Sequence, residues 1–286
     1  MPELPEVEII KRGLNQKIVG KTIKVVKINT PKIFLGNSSE LIGRKISAVN
    51  RRGKIIIFLL DDSTRIIIHL KMTGQLIFDP NGRRKNLEKR VAGGHPSSDW
   101  VGELPNKHTH AIFCFSDDSI LYFNDLRKFG YIKHYKKKLV PELENLGIDA
   151  MSKIFSGGYL KKKAEGKTIE VKKFIMNQEV IAGIGNIYSD EALFCAGISP
   201  KRRVNNISDK EFEKLCFCIK KVLKKGIRFG GSSYRNYVNS FGDKGSMQEH
   251  FKVYDREGEK CFGCNERIIR TKVGGRSSHF CPSCQK

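Results

Sequence analysis

Cys261, Cys264, Cys281 and Cys284 form two C-x2-C pairs separated by the sixteen residues 265–280. Each pair turns two thiolates toward one ion, and four of them complete a tetrahedral sphere with no open position. The spacing therefore predicts one structural Zn2+, which folds a C-terminal segment of about 40 residues too small to hold a core unaided. Ile268–Lys272 and Ser277–Phe280 suit the strands of a hairpin between the knuckles. Arg270, Lys272 and Arg276 are expected at its tip, where cations on a rigid ribbon meet phosphates; a solvated turn is the plainer alternative.

Two further stretches could do chemistry. Gly183-Ile184-Gly185-Asn186-Ile187-Tyr188 is a glycine-rich turn running into a helix over Ser189–Ala196 with Gly197 as its C-cap. Its glycines allow close backbone approach, Asn186 is placed to cap the helix, and amides at a helix N-terminus suit a phosphate, although such turns cap many helices. At the N-terminus, Pro2 stands beside Glu3 and Glu6. A small second residue permits removal of Met1, and although such termini usually fray, a terminal proline amine titrates near neutral pH and is a competent nucleophile. On meeting a sugar C1′ it gives a cationic iminium, for which a neighbouring carboxyl supplies the proton transfers.

The rest of the chain says what these groups act on. Lys plus Arg number 53 against 30 Asp plus Glu, a net charge of +23 over 286 residues, which points to a polyphosphate partner. Charge alone does not reject an anionic membrane or a merely solvated surface. No window reaches the roughly 18 apolar residues of a membrane span, and the start lacks a basic and an apolar signal region, so the protein is expected in the cytoplasm. Cys114, Cys195, Cys216 and Cys218 lie in apolar segments and read as free, buried thiols without a function.

The elements that would position the chemistry form an α+β fold. From about Lys21 to Lys138 short apolar runs alternate with turns: Ile55–Leu60 with Ile66–Leu70, and Ile112–Phe115 with Ile120–Phe123, read as hairpins. They predict an N-terminal β-sandwich flanked by a helix over roughly Glu6–Val19. The polar, glycine-rich stretch 78–106 reads as a long mobile loop or, by default, a disordered insertion in that domain. After Pro141 the period becomes helical: Phe212, Leu215, Ile219, Val222 and Leu223 make one stripe, opened by Ser208 and Glu211 as a capping box. The lysines off that stripe read as a solvated face. The expected domains are a catalytic N-terminal domain over 1–140, with an insertion at about 79–106, a linker over 141–155, a helix-two-turn-helix domain over 156–240, and the zinc finger with a preceding lesion-loop segment over 241–286.

MPELPEVE at 1–8, HLKMTG at 69–74, DLRKFG at 125–130, GIGNIYSDEALF at 183–194 and the four-cysteine finger together resemble the formamidopyrimidine-DNA glycosylase family, in order and over nearly the whole length. Leu4 favours the oxidised-purine branch, because the sister group resembling endonuclease VIII generally has glycine there. The resemblance implies a base-excision-repair glycosylase that removes 8-oxoguanine and formamidopyrimidines and then cleaves the abasic site by β,δ-elimination. Pro2 would form the Schiff base, Glu3 act as general acid and base, and Glu6 shape the same site. Lys54 would hold the phosphate next to the lesion, and Arg276 the phosphates flanking the flipped nucleotide, both with a part in elimination.

The resemblance further implies phosphate contacts for Lys167, Lys172 and Asn186 and a DNA contact for His108 but not His110. Met72, Arg127 and Phe129 would fill the hole left by the extruded base; read blindly, Met72 and Phe129 would be core and Lys54 an ordinary strand lysine. The segment from Gly230 to about Gln248 matches the one that closes over the base. Leu126 and Lys128 depart from a common proline and arginine, and the 79–106 insertion is long for the family. The partner is double-stranded DNA carrying oxidised bases or abasic sites, bound by a monomer. Two rivals stand beside this reading: an endonuclease VIII-like glycosylase for oxidised pyrimidines, and a noncatalytic zinc-finger DNA-binding protein that would need neither Pro2 nor Glu3.

Overall fold

A computed structural model of the chain describes residues 1–80, 91–93 (backbone), 104–136, 140–232 and 245–286. The chain divides into two compact units, one of residues 1–141 with 229–246 and one of 142–228 with 247–286.

The first unit opens with α1, Leu4–Ile18. Pro5 sits in the first turn, where no intrahelical amide bond is lost, and Glu6 lies near the positive end of the helix dipole. Val7, Ile10, Leu14 and Ile18 recur at helical spacing and are all buried. Each contributes up to roughly 1.5–3 kcal/mol by leaving water. The helix begins two residues before the expected Glu6, because Glu3 and the two prolines already form its entry.

Among the described residues ten strands follow: β1 Ile23–Ile28, β2 Phe34–Leu35, β3 Ile46–Arg52, β4 Ile55–Leu60, β5 Arg65–His69, β6 Gly74–Asp79, β7 Val91–Gly93, β8 Thr109–Phe115, β9 Ile120–Asp125 and β10 Tyr131–Tyr135. They form two five-stranded sheets, β1-β8-β9-β6-β7 and β2-β10-β5-β4-β3. Inward residues of both, among them Phe58, Ile66 and Ile68 from one and Phe78, Phe113 and Phe123 from the other, share one core with α1. This is the expected sandwich, and both expected hairpins are antiparallel pairs, β4 with β5 and β8 with β9. Most of the polar 78–106 stretch lies outside the described residues; within it Val91–Gly93 pairs with β6, so that part is strand rather than loop.

The second unit holds α2 Pro141–Glu144, β11 Ile148–Asp149, α3 Gly157–Ala164, α4 Val171–Met176, β12 Ile181–Ala182, α5 Asn186–Ala196, α6 Asp209–Arg228, and a final hairpin of β13 Ile269–Val273 and β14 Arg276–Phe280. The apolar stripe of α6 is buried as its period predicts. Glu211 reaches back to accept from the Ser208 amide at 2.8 Å, the expected return half of a capping box. Gly197 ends α5 in the left-handed region, φ 74°, as a C-cap should.

One expectation fails here. Cys195 of α5 and Cys218 of α6 are joined as a disulfide rather than lying apart as free thiols. An apolar setting indicates that a thiol is buried but not which other thiol it meets; the packing of two helices decides that.

Candidate functional site

Pro2 and Glu3 lead directly into α1, and both are buried. Glu6, 3 % exposed, is oriented by backbone on both sides: Oε2 accepts from the Glu3 amide at 2.8 Å and Oε1 from the Ser232 amide at 2.8 Å. One carboxylate thus ties the N-terminal pair to a distant stretch of chain. That stretch is a stem in which Ser232 bridges Ser246 and the Ser246 amide donates to the Phe229 carbonyl at 2.8 Å. Gly230 and Gly231 take left-handed φ of 74° and 79°, and a Cβ on Gly245 would lie 2.2 Å from the Gly231 carbonyl, so side chains are excluded where the strands meet. The segment expected to close over a base continues beyond this stem, and its residues 233–244 lie outside the described ones.

Lys54 lies in the β3–β4 turn next to Gly53, whose φ is 57°, and is 6 % exposed. Arg51 braces this turn, donating to the Gly53 carbonyl at 2.9 Å and to Glu8 at 3.0 Å. His69, opposite Ile55 in the sheet, accepts the Lys71 amide on Nδ1 at 3.0 Å, which places its proton on Nε2. Burial, with Lys71 and Lys54 nearby, holds His69 down to about 3, so it stays neutral. His108 is half-buried, and burial together with Lys107, His110 and Lys128 lowers it as well. His110 is structural: Nε2 meets the Asp125 carbonyl at 2.7 Å and Nδ1 the Thr30 hydroxyl at 2.8 Å.

Met72, Arg127 and Phe129 stand on two turns and are exposed, at 38 % for Met72 and 54 % for Phe129, so neither is core. The Arg127 guanidinium lies 4.7 Å from the Phe129 ring centre. Sequence reasoning missed the residue that joins these turns, the fully buried Asp125. Its Oδ1 accepts from the Thr73 hydroxyl and from the Arg127 amide at 3.1 Å, and its Oδ2 from the Gly130 amide at 2.7 Å. Gly130 has no room for a side chain, since a Cβ would lie 2.8 Å from the Phe123 ring. The first and last letters of DLRKFG are therefore a brace and the spacing it needs.

In the second unit the glycine-rich turn is built around Gln178, whose side chain donates to the Met176 and Ile184 carbonyls at 2.9 and 2.8 Å and accepts from the Gly183 amide at 2.9 Å. The helix begins earlier than expected: Gly185 is the N-cap and Asn186 the first helical residue, so Asn186 does not cap. Its buried Oδ1 has no hydrogen-bond partner among the described residues. Lys167 is exposed between α3 and α4.

Lys172 corrects the expectation of a phosphate contact. It is fully buried; its ammonium lies 2.7 Å from Asp190 Oδ1 and donates to the Ser277 carbonyl at 2.7 Å. Asp190 also accepts from the Ser278 hydroxyl and the His279 amide, each at 2.9 Å. Its neighbour Glu191 accepts from the amides of Lys252, Val253 and Tyr254 at 2.9–3.0 Å. Burial raises the Glu191 carboxyl while those three amides pull it back. The two acids of α5 thus anchor β14 and the chain that enters the finger. Two consecutive carboxylates in an otherwise apolar helix were the available signal.

The four finger thiols lie within 4.8 Å of one another, with Cys261 and Cys284 sulfurs 3.9 Å apart and Cys264 and Cys281 sulfurs 3.4 Å apart. A tetrahedron of thiolates about 2.3 Å from one ion places sulfurs about 3.8 Å apart, so the quartet fits such an ion. Among the described residues it is the one His, Cys, Asp or Glu cluster placed to hold a metal. Amides of Gly263 and Cys284 donate to Cys261 and Cys281 sulfur, and Cys261, Ile268 and Cys281 pack with Val253 and Phe194. At the hairpin tip Gly274 and Gly275 have φ 54° and 78°, with exposed Lys272 and Arg276 beside them. Arg270 is not at the tip: it pairs with His279 in register and its guanidinium donates to Ser277 Oγ.

The formamidopyrimidine-DNA glycosylase N-terminal domain model matches residues 1–132, and the H2TH domain model of the same enzymes matches residues 146–238. The chain belongs to the formamidopyrimidine-DNA glycosylase family. Among its relatives, a formamidopyrimidine-DNA glycosylase of Carboxydothermus hydrogenoformans is 40 % identical over 291 residues, covering all of both chains. One of Geobacillus kaustophilus is 39 % identical over 295 residues, again covering both in full. Lactococcus lactis Fpg bound to abasic-site DNA superposes with a TM-score of 0.85 at 33 % identity over 99 % of each chain. Its G226P variant bound to Fapy-dG DNA gives the same score and identity over the full length of both. Among the described residues no helix is long and apolar enough to cross a membrane.

Proposed function

We propose that the protein excises oxidised purines, 8-oxoguanine and formamidopyrimidines, from double-stranded DNA and cleaves the resulting abasic site. The observation that carries this reading is the double anchorage of Glu6, which orients Pro2 and Glu3 at the head of α1 and joins them to the 229–246 stem. After removal of Met1, the Pro2 amine attacks C1′ of the lesion nucleotide, the base departs with a proton assisted by Glu3, and the iminium forms as the C1′–O4′ bond opens and O4′ takes up a proton. Loss of a C2′ proton then expels the 3′ phosphate and loss of a C4′ proton the 5′ phosphate, which leaves a one-nucleoside gap, with Lys54 and Arg276 holding the phosphates in place. Met72, Arg127 and Phe129 fill the space of the extruded base, on turns held by Asp125. The Asn186 turn, Lys167 and the finger tip bind backbone phosphates, and His108 serves as a hydrogen-bond donor near them.

The domain roles follow the same lines, with catalysis in 1–140, duplex binding in 156–240 and phosphate grip in the finger. Zinc on Cys261, Cys264, Cys281 and Cys284 is structural, since four thiolates leave no position for water or substrate. The protein acts as a monomer in the cytoplasm, where its duplex substrate lies.

The test is borohydride trapping on an 8-oxoguanine duplex opposite cytosine, with thymine glycol as the competing lesion. Wild type should give a covalent band that both Pro2→Gly and Glu3→Gln weaken. A zinc-loaded, folded wild type giving no adduct on 8-oxoguanine or abasic DNA would leave a noncatalytic DNA-binding protein. Preference for thymine glycol would make it an oxidised-pyrimidine enzyme.

A further inference from the structure

The cysteine pair outside the finger offers an inference that neither the chemistry of excision nor the zinc site needs. α5 and α6 run antiparallel against each other and touch closely at two points. Near one end Tyr188 packs on Gly226, where a Cβ would lie 2.5 Å from the Tyr188 hydroxyl. Seven residues further along α5, and eight back along α6, the sulfurs of Cys195 and Cys218 are bonded, with Cα atoms 5.7 Å apart. That Cα spacing is the ordinary one for a disulfide, so the fold brings the thiols together without backbone movement. Cys218 is 2 % exposed, whereas Cys195 is half-buried and offers the route in for a small reagent. The cross-linked helix α5 also carries Asp190 and Glu191, which anchor the finger.

We propose that Cys195 and Cys218 form a reversible redox-modification site that takes peroxide in the dithiol state and small thiols in the disulfide state, locking α5 to α6 under oxidising conditions. In the forward direction the Cys195 thiolate attacks the peroxide O–O bond, giving a sulfenic acid and releasing one water after proton uptake. The Cys218 thiolate then displaces the sulfenic oxygen as a second water, so two thiols and one hydrogen peroxide give one disulfide and two waters. In reverse, an external dithiol attacks Cys195 sulfur, releases Cys218 thiol, and leaves as its own disulfide. The value of such a lock to a repair enzyme rests on the function proposed above, because the oxidants that set it also make the lesion; the lock itself does not.

The experiment uses full-length, zinc-loaded protein, reduced and then given a brief stoichiometric pulse of hydrogen peroxide. Alkylation with mass spectrometry should find the 195–218 cross-link, reversible with dithiothreitol, and zinc content should be unchanged. Oxidation should raise the thermal midpoint by roughly 10 °C in wild type and not in Cys195→Ser or Cys218→Ala. Both thiols remaining alkylatable, or equal midpoints for the oxidised and reduced forms, would overturn the proposal. Because no readout is enzymatic, a lyase-negative protein could still show the lock, and an active one could lack it.

Discussion

Replacing Lys172 by methionine separates an anchoring role from a DNA-contacting one. The ammonium sits 2.7 Å from Asp190 in a site where both side chains are at most 1 % exposed. At an effective dielectric constant of about 20 such a pair attracts by roughly 6 kcal/mol before desolvation is subtracted. What the substitution costs is larger than the net value of the pair, since Asp190 stays buried without its cation; about 3–5 kcal/mol is expected. The Asp190 carboxylate would keep the Ser278 hydroxyl and the His279 amide, which places the figure toward the lower end. Urea denaturation of zinc-loaded protein measures it, and adding Asp190→Asn, which removes the stranded charge, should restore part of the loss. A second assay follows the salt dependence of duplex affinity. The slope should be unchanged by Lys172→Met and should fall by about 0.9 for exposed Arg276→Ala, the share of a single neutralised phosphate. If Lys172→Met loses less than about 1 kcal/mol and its slope falls by about 0.9, the lysine binds phosphate and the anchoring argument is wrong.

Asp125→Asn retains shape but turns an NH2 toward donors, so at least one of the Thr73, Arg127 and Gly130 bonds is broken, at about 1–3 kcal/mol for the orphaned group. Lesion excision should fall while duplex affinity in a filter assay holds; normal excision would show that the turns need no brace. Glu211 is held down to about 2, first by the Arg202 guanidinium, and its contribution to stability is therefore present above its ordinary value near 4.5 and lost as pH falls from there toward 2. The stability gap between wild type and Glu211→Gln should be steady from pH 7 to 5 and shrink below 4.5; a gap independent of pH would remove the ion pair from the account. Stripping the finger with a thiol-selective chelator should abolish duplex binding while leaving the sandwich folded by circular dichroism, and retained affinity would show that the hairpin holds without metal.

Much of this was legible in the residues alone because it is local. The spacing of Cys261, Cys264, Cys281 and Cys284 brings four thiols together where they could hold one ion, and the apolar periods of β4, β5 and α6 are the faces each element must bury. The Gly197 C-cap and the Ser208–Glu211 return bond need only neighbours within one turn. What the one-dimensional pattern left undecided is long-range. Lys172 was an expected phosphate ligand until folding placed it opposite Asp190, eighteen residues later, and under Ser277, 105 residues away. The second role of Glu6 depends on Ser232, 226 residues distant, and the pairing of Cys195 with Cys218 on how two helices cross. A charged side chain is ambiguous on its own: exposed, it binds phosphate, and buried, it must find an opposite charge or a ring of amides. The residue type supplies the chemistry, and only the tertiary environment, through burial and the partner it imposes, selects which chemistry is used.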